Sequence, residues 1–124
     1  AAGDDSAETR DALALVRAHA YVIDKSKAPA IAARLKVVNM AINGLVYQDL
    51  EKIQFDLKSS FRDFKAPVLV LQGDKDVISI DTAKTIASSF PDARLVIMPN
   101  CAHYGWLDSA ELYYASVFEF IQAP

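Results

Sequence analysis

The sequence predicts an α/β fold in which two parallel strands with flanking helices follow a helical segment. Two patterns carry this prediction. Apolar residues recur at helical spacing from about Ser6 to Lys58, whereas short apolar runs alternate with helical stretches from Ala66 onward. The second pattern is typical of βα units and a parallel sheet. We therefore expect the first half of the chain to be helical and the second half to contribute the sheet.

The helical half is predicted to contain three helices. The apolar residues of the first recur at helical spacing, at Leu13, Val16 and Ala20. Pro29 suits the first turn of a second helix. The apolar stripe of that helix comprises Ile31, Leu35, Val38 and Ile42. Gly44 is expected to separate it from a third helix, from about Val46 to Leu57. The second helix is apolar around most of its circumference, which predicts burial on more than one side.

The second half is predicted to form two βα units. The run from Pro67 to Leu71 is continuously apolar, as in a strand covered on both faces, and Leu95 to Met98 forms the next strand. Asp81 is expected to cap a helix from Thr82 to Phe90. A turn over residues 91–93 follows, and Ser109 is expected to cap the last helix. The residues predicted to face the core from that helix are Leu112, Tyr113, Val117, Phe118 and Ile121.

Two parallel strands are too few for a stable sheet. Parallel sheets are covered on both faces and usually contain several strands. We therefore expect more sheet to come from another polypeptide, or from a part of the parent protein outside these 124 residues.

The composition excludes several classes of function. The chain is 52% apolar and 23% charged with a net charge of −3, so it is globular and lacks a basic footprint for nucleic acid. The uncharged stretch from Val37 to Gln48 is too short to span a membrane. No signal peptide is recognised, and the small, polar residues 1–6 would fit a terminus left by proteolysis. The single cysteine, Cys101, is compatible with a reducing compartment. The expected location is cytoplasmic, with a secreted or periplasmic location left open.

Asp76 and His103 are the candidate catalytic residues. Each lies just past the end of a predicted strand. Because ligands of open α/β sheets bind beyond the carboxyl ends of the strands, the two side chains are expected to meet on one side of the sheet. A carboxylate that accepts a hydrogen bond from histidine fixes the imidazole tautomer and stabilises the imidazolium. His103 could then take a proton from a nucleophile.

Four consecutive segments resemble the C-terminal half of the α/β-hydrolase superfamily, in particular its proline iminopeptidase-like and esterase-like members. Residues 66–76 (APVLVLQGDKD) look like the strand and acid loop, and residues 93–99 (ARLVIMP) resemble the following strand. Residues 100–108 (NCAHYGWLD) look like the histidine loop, and residues 110–121 (AELYYASVFEFI) are similar to the closing helix. The likeness runs from about Phe64 to Gln122.

The resemblance implies a Ser/Asp/His triad with Asp76 as the acid and His103 as the base. Asp74 is the competing acid, and Asp76 is preferred because the family places the acid at the end of the G-x-x-D loop. Residues 1–63 would be the end of a cap or lid, and residues 64–124 the βαβα end of the core. The family order Ser, Asp, His puts the serine upstream. No serine of this sequence has the glycine flanks of a G-x-S-x-G elbow.

The resulting hypothesis is a serine hydrolase that cleaves an ester, amide or peptide bond of a small-molecule or peptide substrate. The nucleophile would lie on a separate N-terminal chain, produced by proteolytic processing, so that the active form is a heterodimer. No metal or organic cofactor is implied. The alternative is a non-catalytic, hydrolase-derived interaction module or an inactive homodimer, which the missing nucleophile favours.

Other side chains that could carry chemistry have simpler explanations. Cys101 could be a nucleophile or a ligand, but a small buried residue is the better interpretation, because one Cys and one His are too few for a zinc site. His19 lies in a helical stripe and is interpreted as structural. The aromatic residues that could either line a pocket or pack the histidine loop are Tyr104, Trp106 and Tyr113.

Overall fold

The computed structural model describes residues 6–37 and 39–123 and has an α/β architecture. Three helices precede the first strand, and helices then alternate with the two strands. The elements in chain order are α1 (Ala7–Tyr21), a 3₁₀ turn (Lys25–Lys27), α2 (Ala28–Leu35), α3 (Met40–Lys52), β1 (Val68–Gly73), α4 (Ile80–Ser88), β2 (Ala93–Met98), α5 (Gly105–Asp108) and α6 (Ala110–Gln122). Residues 1–5, Val38 and Pro124 lie outside the described residues.

Helices α1 and α2 pack together through small side chains. Ser6 caps α1, and its hydroxyl oxygen accepts a hydrogen bond from the amide of Thr9 at 3.2 Å. The buried cluster between the two helices consists of Ala14, Ala18, Val22, Ala28, Ile31 and Ala32. Leu13 and Val16, which suggested the helix, are instead largely exposed. Alanines face the partner helix because they allow a closer approach than leucine does.

The second helix ends at Leu35 and the third begins at Met40, so the prediction that Gly44 separates them is wrong. Asn39 is the N-cap of α3, and its side-chain oxygen accepts a hydrogen bond from the Ile42 amide at 3.1 Å. Gly44 lies inside α3, which ends at Lys52 and not at Leu57. A cap bond decides the helix start here, whereas a glycine within a helix costs only about 1 kcal/mol.

Helix α3 is largely exposed within the described chain. None of its residues is buried, and its large apolar side chains face outward at Met40, Ile42, Leu45, Val46 and Tyr47. The burial on more than one side was predicted for the second helix, whose apolar stripe divides between α2 and α3. Ile31 is buried and Leu35 half-buried in α2, whereas Ile42 in α3 is 59% exposed, so that prediction is wrong for the described residues. Among the described residues, no other helix or strand packs extensively against α3.

Strands β1 and β2 are parallel neighbours and form a two-stranded sheet within the described chain. Their register pairs Val68 with Ala93 at one end and Gly73 with Met98 at the other. Helix α4 packs against both strands. The residues of β1 from Val68 to Leu71 are only half-buried, so the predicted cover on both faces is incomplete in this chain.

Two details of the flanking helices differ from the prediction. Helix α4 begins at Ile80 because Ser79, not Asp81, is its N-cap; the Ser79 hydroxyl accepts a hydrogen bond from the Asp81 amide. Ser109 directly precedes α6 but makes no side-chain capping bond.

Only some of the residues of α6 that were predicted to face the core are turned toward the interior. Leu112, Tyr113 and Val117 are half-buried. Phe118 and Ile121 are 59% and 70% exposed, because α6 turns the side of Ser116 toward the interior and these two residues lie on the opposite side. No helix of the described residues is both long enough and apolar enough to cross a bilayer.

Candidate active site

Asp76 and His103 meet at the carboxyl ends of the two strands. His103 Nδ1 lies 3.0 Å from Asp76 Oδ1 and 3.1 Å from Oδ2. The carboxylate of Asp76 is 7% exposed, whereas the imidazole is 42% exposed. The Ile78 amide donates a further hydrogen bond to Asp76 Oδ1 at 3.0 Å. The Ile78 amide thus holds the buried carboxylate of Asp76 in place, and part of the imidazole of His103 remains exposed to solvent.

The geometry determines the histidine tautomer. A carboxylate can only accept hydrogen bonds, so Nδ1 of His103 carries the hydrogen that points to Asp76. In the neutral imidazole, Nε2 then holds a lone pair. Within the described part of the chain, Nε2 makes no hydrogen bond that would occupy this lone pair. The arrangement can therefore accept a proton at Nε2 and stabilise the resulting imidazolium through Asp76.

Asp74, the competing acid, has another partner. Its carboxylate accepts a hydrogen bond from the Cys101 amide at 3.1 Å. This backbone donor holds the pKa of Asp74 below its usual value. The Asp74 amide in turn donates to the Met98 carbonyl at 3.0 Å, and the Lys75 amide donates to the Cys101 carbonyl at 2.9 Å. Asp74 therefore ties the two loops together, while Asp76 faces the imidazole.

Gly73 permits the close approach of these loops. A Cβ atom at this position would collide with the carbonyl oxygens of Cys101 and Ala102, and would lie 2.7 Å from the Cys101 carbonyl carbon. Its φ is not positive. The missing side chain, not an unusual φ, is therefore what the site requires of Gly73. The chain turns into the histidine loop at Asn100, whose φ of 49° lies in the left-handed region that asparagine tolerates.

Tyr21 is a neighbour of His103 that the sequence analysis missed. The His103 amide donates to the Tyr21 carbonyl at 3.1 Å, and the ring centroids of the two side chains are 4.9 Å apart. Tyr104 lies edge-on to the imidazole with centroids 5.5 Å apart. The end of α1 therefore forms a wall of the candidate site. No local sequence signal marks Tyr21, because the two residues belong to opposite halves of the chain.

The aromatic residues of the histidine loop pack against each other. Trp106 lies edge-on to Tyr104 with centroids 4.9 Å apart, and to Tyr113 with centroids 5.9 Å apart. All three are half-buried. The packing alternative is the one that these contacts favour. His19 is exposed in the last turn of α1, where its Nδ1 lies 2.7 Å from the Leu15 carbonyl oxygen.

Cys101 is a buried structural side chain, as expected. Its exposure is 0%, and burial together with the charges of Asp108, Asp74 and Asp76 raises the pKa of the thiol to about 11. The thiolate is the nucleophilic form, so this position is unsuited to covalent catalysis. Among the described residues, no group of three or more His, Cys, Asp or Glu side chains could hold a metal ion.

Cys101 is therefore expected to resist alkylation. At pH 8, a pKa of about 11 in place of 9.0 lowers the thiolate fraction about a hundredfold, in addition to the steric protection. Incubation of the folded protein with iodoacetamide, followed by intact mass spectrometry, should show no adduct over an hour. Full modification after unfolding in urea is the control. Rapid modification of the folded protein would contradict the buried position.

Comparisons with known proteins indicate a hydrolase-like fold. No protein-family model matches the chain. A region of 66 residues is 30% identical in sequence to part of the pimeloyl-[acyl-carrier protein] methyl ester esterase of Nitrosospira multiformis. The match covers 52% of this chain and 25% of the esterase. The crystal structure of a membrane phospholipase A, described as a bacterial virulence factor, superposes with a TM-score of 0.65 at 19% identity, covering 91% of this chain and 39% of that one.

These two similarities support a hydrolase-like fold for the chain. The phospholipase likeness concerns the fold alone at 19% identity. The esterase match adds sequence similarity. The matched regions are well under half of the length of either similar protein. The chain is thus an α/β protein whose two-stranded parallel sheet and flanking helices are compatible with part of a hydrolase fold.

Proposed function

We propose that this chain supplies the acid and the base of a serine hydrolase, with Asp76 as the triad acid and His103 as the triad base. The observation that carries the proposal is the hydrogen-bonded pair at the ends of adjacent parallel strands, with His103 Nδ1 3.0 Å from Asp76 Oδ1. The substrate class is an acyl ester, amide or peptide. Both similar proteins act on esters according to their names, an acyl-carrier methyl ester in one case and a phospholipid in the other.

The chemistry follows from the tautomer. A serine hydroxyl on the upstream part of the enzyme attacks the substrate carbonyl and gives its proton to His103 Nε2. The imidazolium is stabilised by Asp76, and it then returns the proton to the leaving group as the acyl-serine forms. Water repeats the sequence and releases the acid. Backbone amides of the upstream part would bind the oxyanion.

The nucleophile would come from an N-terminal polypeptide that also completes the sheet. Three features support this partner. The two strands are only half-buried, α3 exposes a row of apolar side chains, and the match covers 25% of the esterase and 39% of the phospholipase. Exposed apolar surface of this extent marks an interaction site. We propose that this partner is a separate, proteolytically cleaved chain.

Labelling with a fluorescent organophosphonate tests the proposal. The protein as isolated is first examined by native mass spectrometry, then labelled and denatured. The label is expected on a serine of a co-purifying polypeptide with a G-x-S-x-G segment, while this chain stays unlabelled. A His103→Ala variant should lose the labelling, because the serine loses its base. An active preparation in which no serine is labelled would contradict the serine mechanism.

A non-catalytic module is the second candidate function. The absence of a glycine-flanked serine from this sequence favours it. In that case the exposed apolar face of α3 would bind a partner or a second copy. Native mass spectrometry distinguishes the two functions. A homodimer or a lone species without hydrolase activity fits the module, whereas a second polypeptide carrying the elbow fits the hydrolase.

A further inference from the structure

Asp108, at the end of α5, joins two segments that are remote in sequence. Its Oδ1 and Oδ2 atoms each lie 3.1 Å from the Ile23 amide nitrogen, and Oδ2 lies 3.0 Å from the Ala102 amide nitrogen. Ile23 lies two residues beyond the end of α1, and Ala102 directly precedes His103. The half-buried carboxylate therefore bridges the end of the helical segment and the histidine loop.

Further contacts connect the same two segments. The His103 amide donates to the Tyr21 carbonyl at 3.1 Å, and the Lys27 ammonium donates to the Leu107 carbonyl at 2.7 Å. The Tyr21 ring also lies against the imidazole. The backbone on both sides of His103 is thus fixed relative to α1, and Asp108 is the charged acceptor in this set.

The charge of Asp108 suits this bridging role. A carboxylate accepts hydrogen bonds at both oxygens, so it can satisfy the Ile23 and Ala102 amides together. Bonds to an ionised acceptor are roughly twice as strong as those between neutral groups. An asparagine has only one acceptor oxygen, and its amide group would face one of the two N–H donors. Oδ2 alone lies within hydrogen-bond distance of both amides, so an asparagine would lose the Oδ1 contact with Ile23 and the negative charge that strengthens these bonds, rather than every bond of the bridge.

We propose that Asp108 is a positioning residue for His103. By joining the Ile23 and Ala102 amides, it holds the imidazole between Tyr21 and Asp76, with Nε2 directed at the site of the nucleophile. Asp108 does not touch the substrate. The catalytic consequence rests on the proposed hydrolase function, whereas the effect on the His103–Asp76 hydrogen bond does not.

The test uses Asp108→Asn and Asp108→Ala in the protein as isolated, together with any co-purifying chain. Asp56→Asn is the matched control, because Asp56 also accepts a backbone hydrogen bond, from the Lys58 amide at 2.9 Å, but at an exposed turn. Two quantities are measured: the rate of serine labelling by the phosphonate, and the low-field proton resonance of the His103 Nδ1–H. The Asp76→Asn variant assigns that resonance.

Asp108→Asn is expected to slow labelling by about 10- to 100-fold, because a misplacement of about 1 Å in a catalytic group can cost about 10²-fold. The Nδ1–H resonance should shift or broaden, and the phosphonate concentration for half-maximal rate should stay the same. Asp56→Asn should leave both quantities at wild-type values. Should Asp108→Ala fail to fold, Asp108→Asn decides, since it keeps the shape and one acceptor.

Two results would overturn the proposal. One is a folded Asp108→Asn variant with the wild-type labelling rate and Nδ1–H resonance. The other is slower labelling with an unchanged resonance, which would place the effect elsewhere. A wild-type protein in which no serine is labelled refutes the hydrolase function separately, and the resonance still shows whether Asp108 positions His103.

Discussion

Replacement of Asp76 by asparagine is expected to lower kcat of the active assembly by about 10⁴-fold, the loss typical of a triad whose acid is replaced by its amide. The asparagine amide can donate to Nδ1 of His103, which stabilises the tautomer with hydrogen on Nε2 and removes the base. The Ile78 amide, 3.0 Å from Asp76 Oδ1 in the wild type, still has an oxygen to bind. The loss should therefore appear in kcat, with KM nearly unchanged, in hydrolysis of a p-nitrophenyl ester.

Asp74→Asn is the matched control for this prediction. Its remaining oxygen can still accept the hydrogen bond from the Cys101 amide, and its side chain does not face the imidazole. We expect kcat to fall by less than about tenfold, the range of a modest structural change. A loss of about 10⁴-fold in Asp74→Asn, with Asp76→Asn near wild type, would exchange the roles of the two acids.

The sequence predicted the features that depend on local pattern. The continuous apolar runs predicted both strands, and the rule that ligands bind beyond strand ends predicted that Asp76 and His103 would lie together. The register places Gly73 beside Met98, so the loops that carry the two residues start side by side. The geometry of the pair follows from this topology. Its catalytic role remains a prediction.

Features that depend on distant contacts were missed. Tyr21 reaches the histidine loop, and Asp108 reaches the Ile23 amide, only because the end of α1 lies beside this loop, and nothing in their flanking residues marks this. The helix break at Asn39 was assigned to Gly44, because a glycine is easier to recognise than a cap bond. The second helix was predicted to be buried on more than one side because it is apolar, yet Ile42 of its stripe lies in α3 and is 59% exposed among the described residues. Hydrophobic pattern predicts that a face will be covered, but not what covers it.

Gly73→Ala is expected to destabilise the protein and to disrupt the candidate site. The added methyl group would collide with the carbonyl oxygens of Cys101 and Ala102, which are backbone atoms and cannot change rotamer. Overpacking typically costs about 1–3 kcal/mol, and a backbone obstacle places this variant at the upper end. The histidine loop must move away from β1 to relieve the collision, which separates His103 from Asp76. Urea denaturation should show the lower free energy of unfolding, and phosphonate labelling should be lost.

Gly44→Ala is a control that makes the same chemical change, but its effect on the free energy of unfolding is expected to be opposite in sign. Apart from its chain neighbours and the backbone of α3 itself, no atom of the described residues lies within 4 Å of a Cβ at Gly44, which is inside α3. An alanine there removes backbone freedom from the unfolded chain, and it should raise the free energy of unfolding by about 0.5–1 kcal/mol. Equal effects of the two substitutions would show that the close approach at Gly73 is not required. A partner that packs on α3 would reduce the gain at Gly44, so measurements with and without the co-purifying chain would also report whether α3 is covered in the assembly.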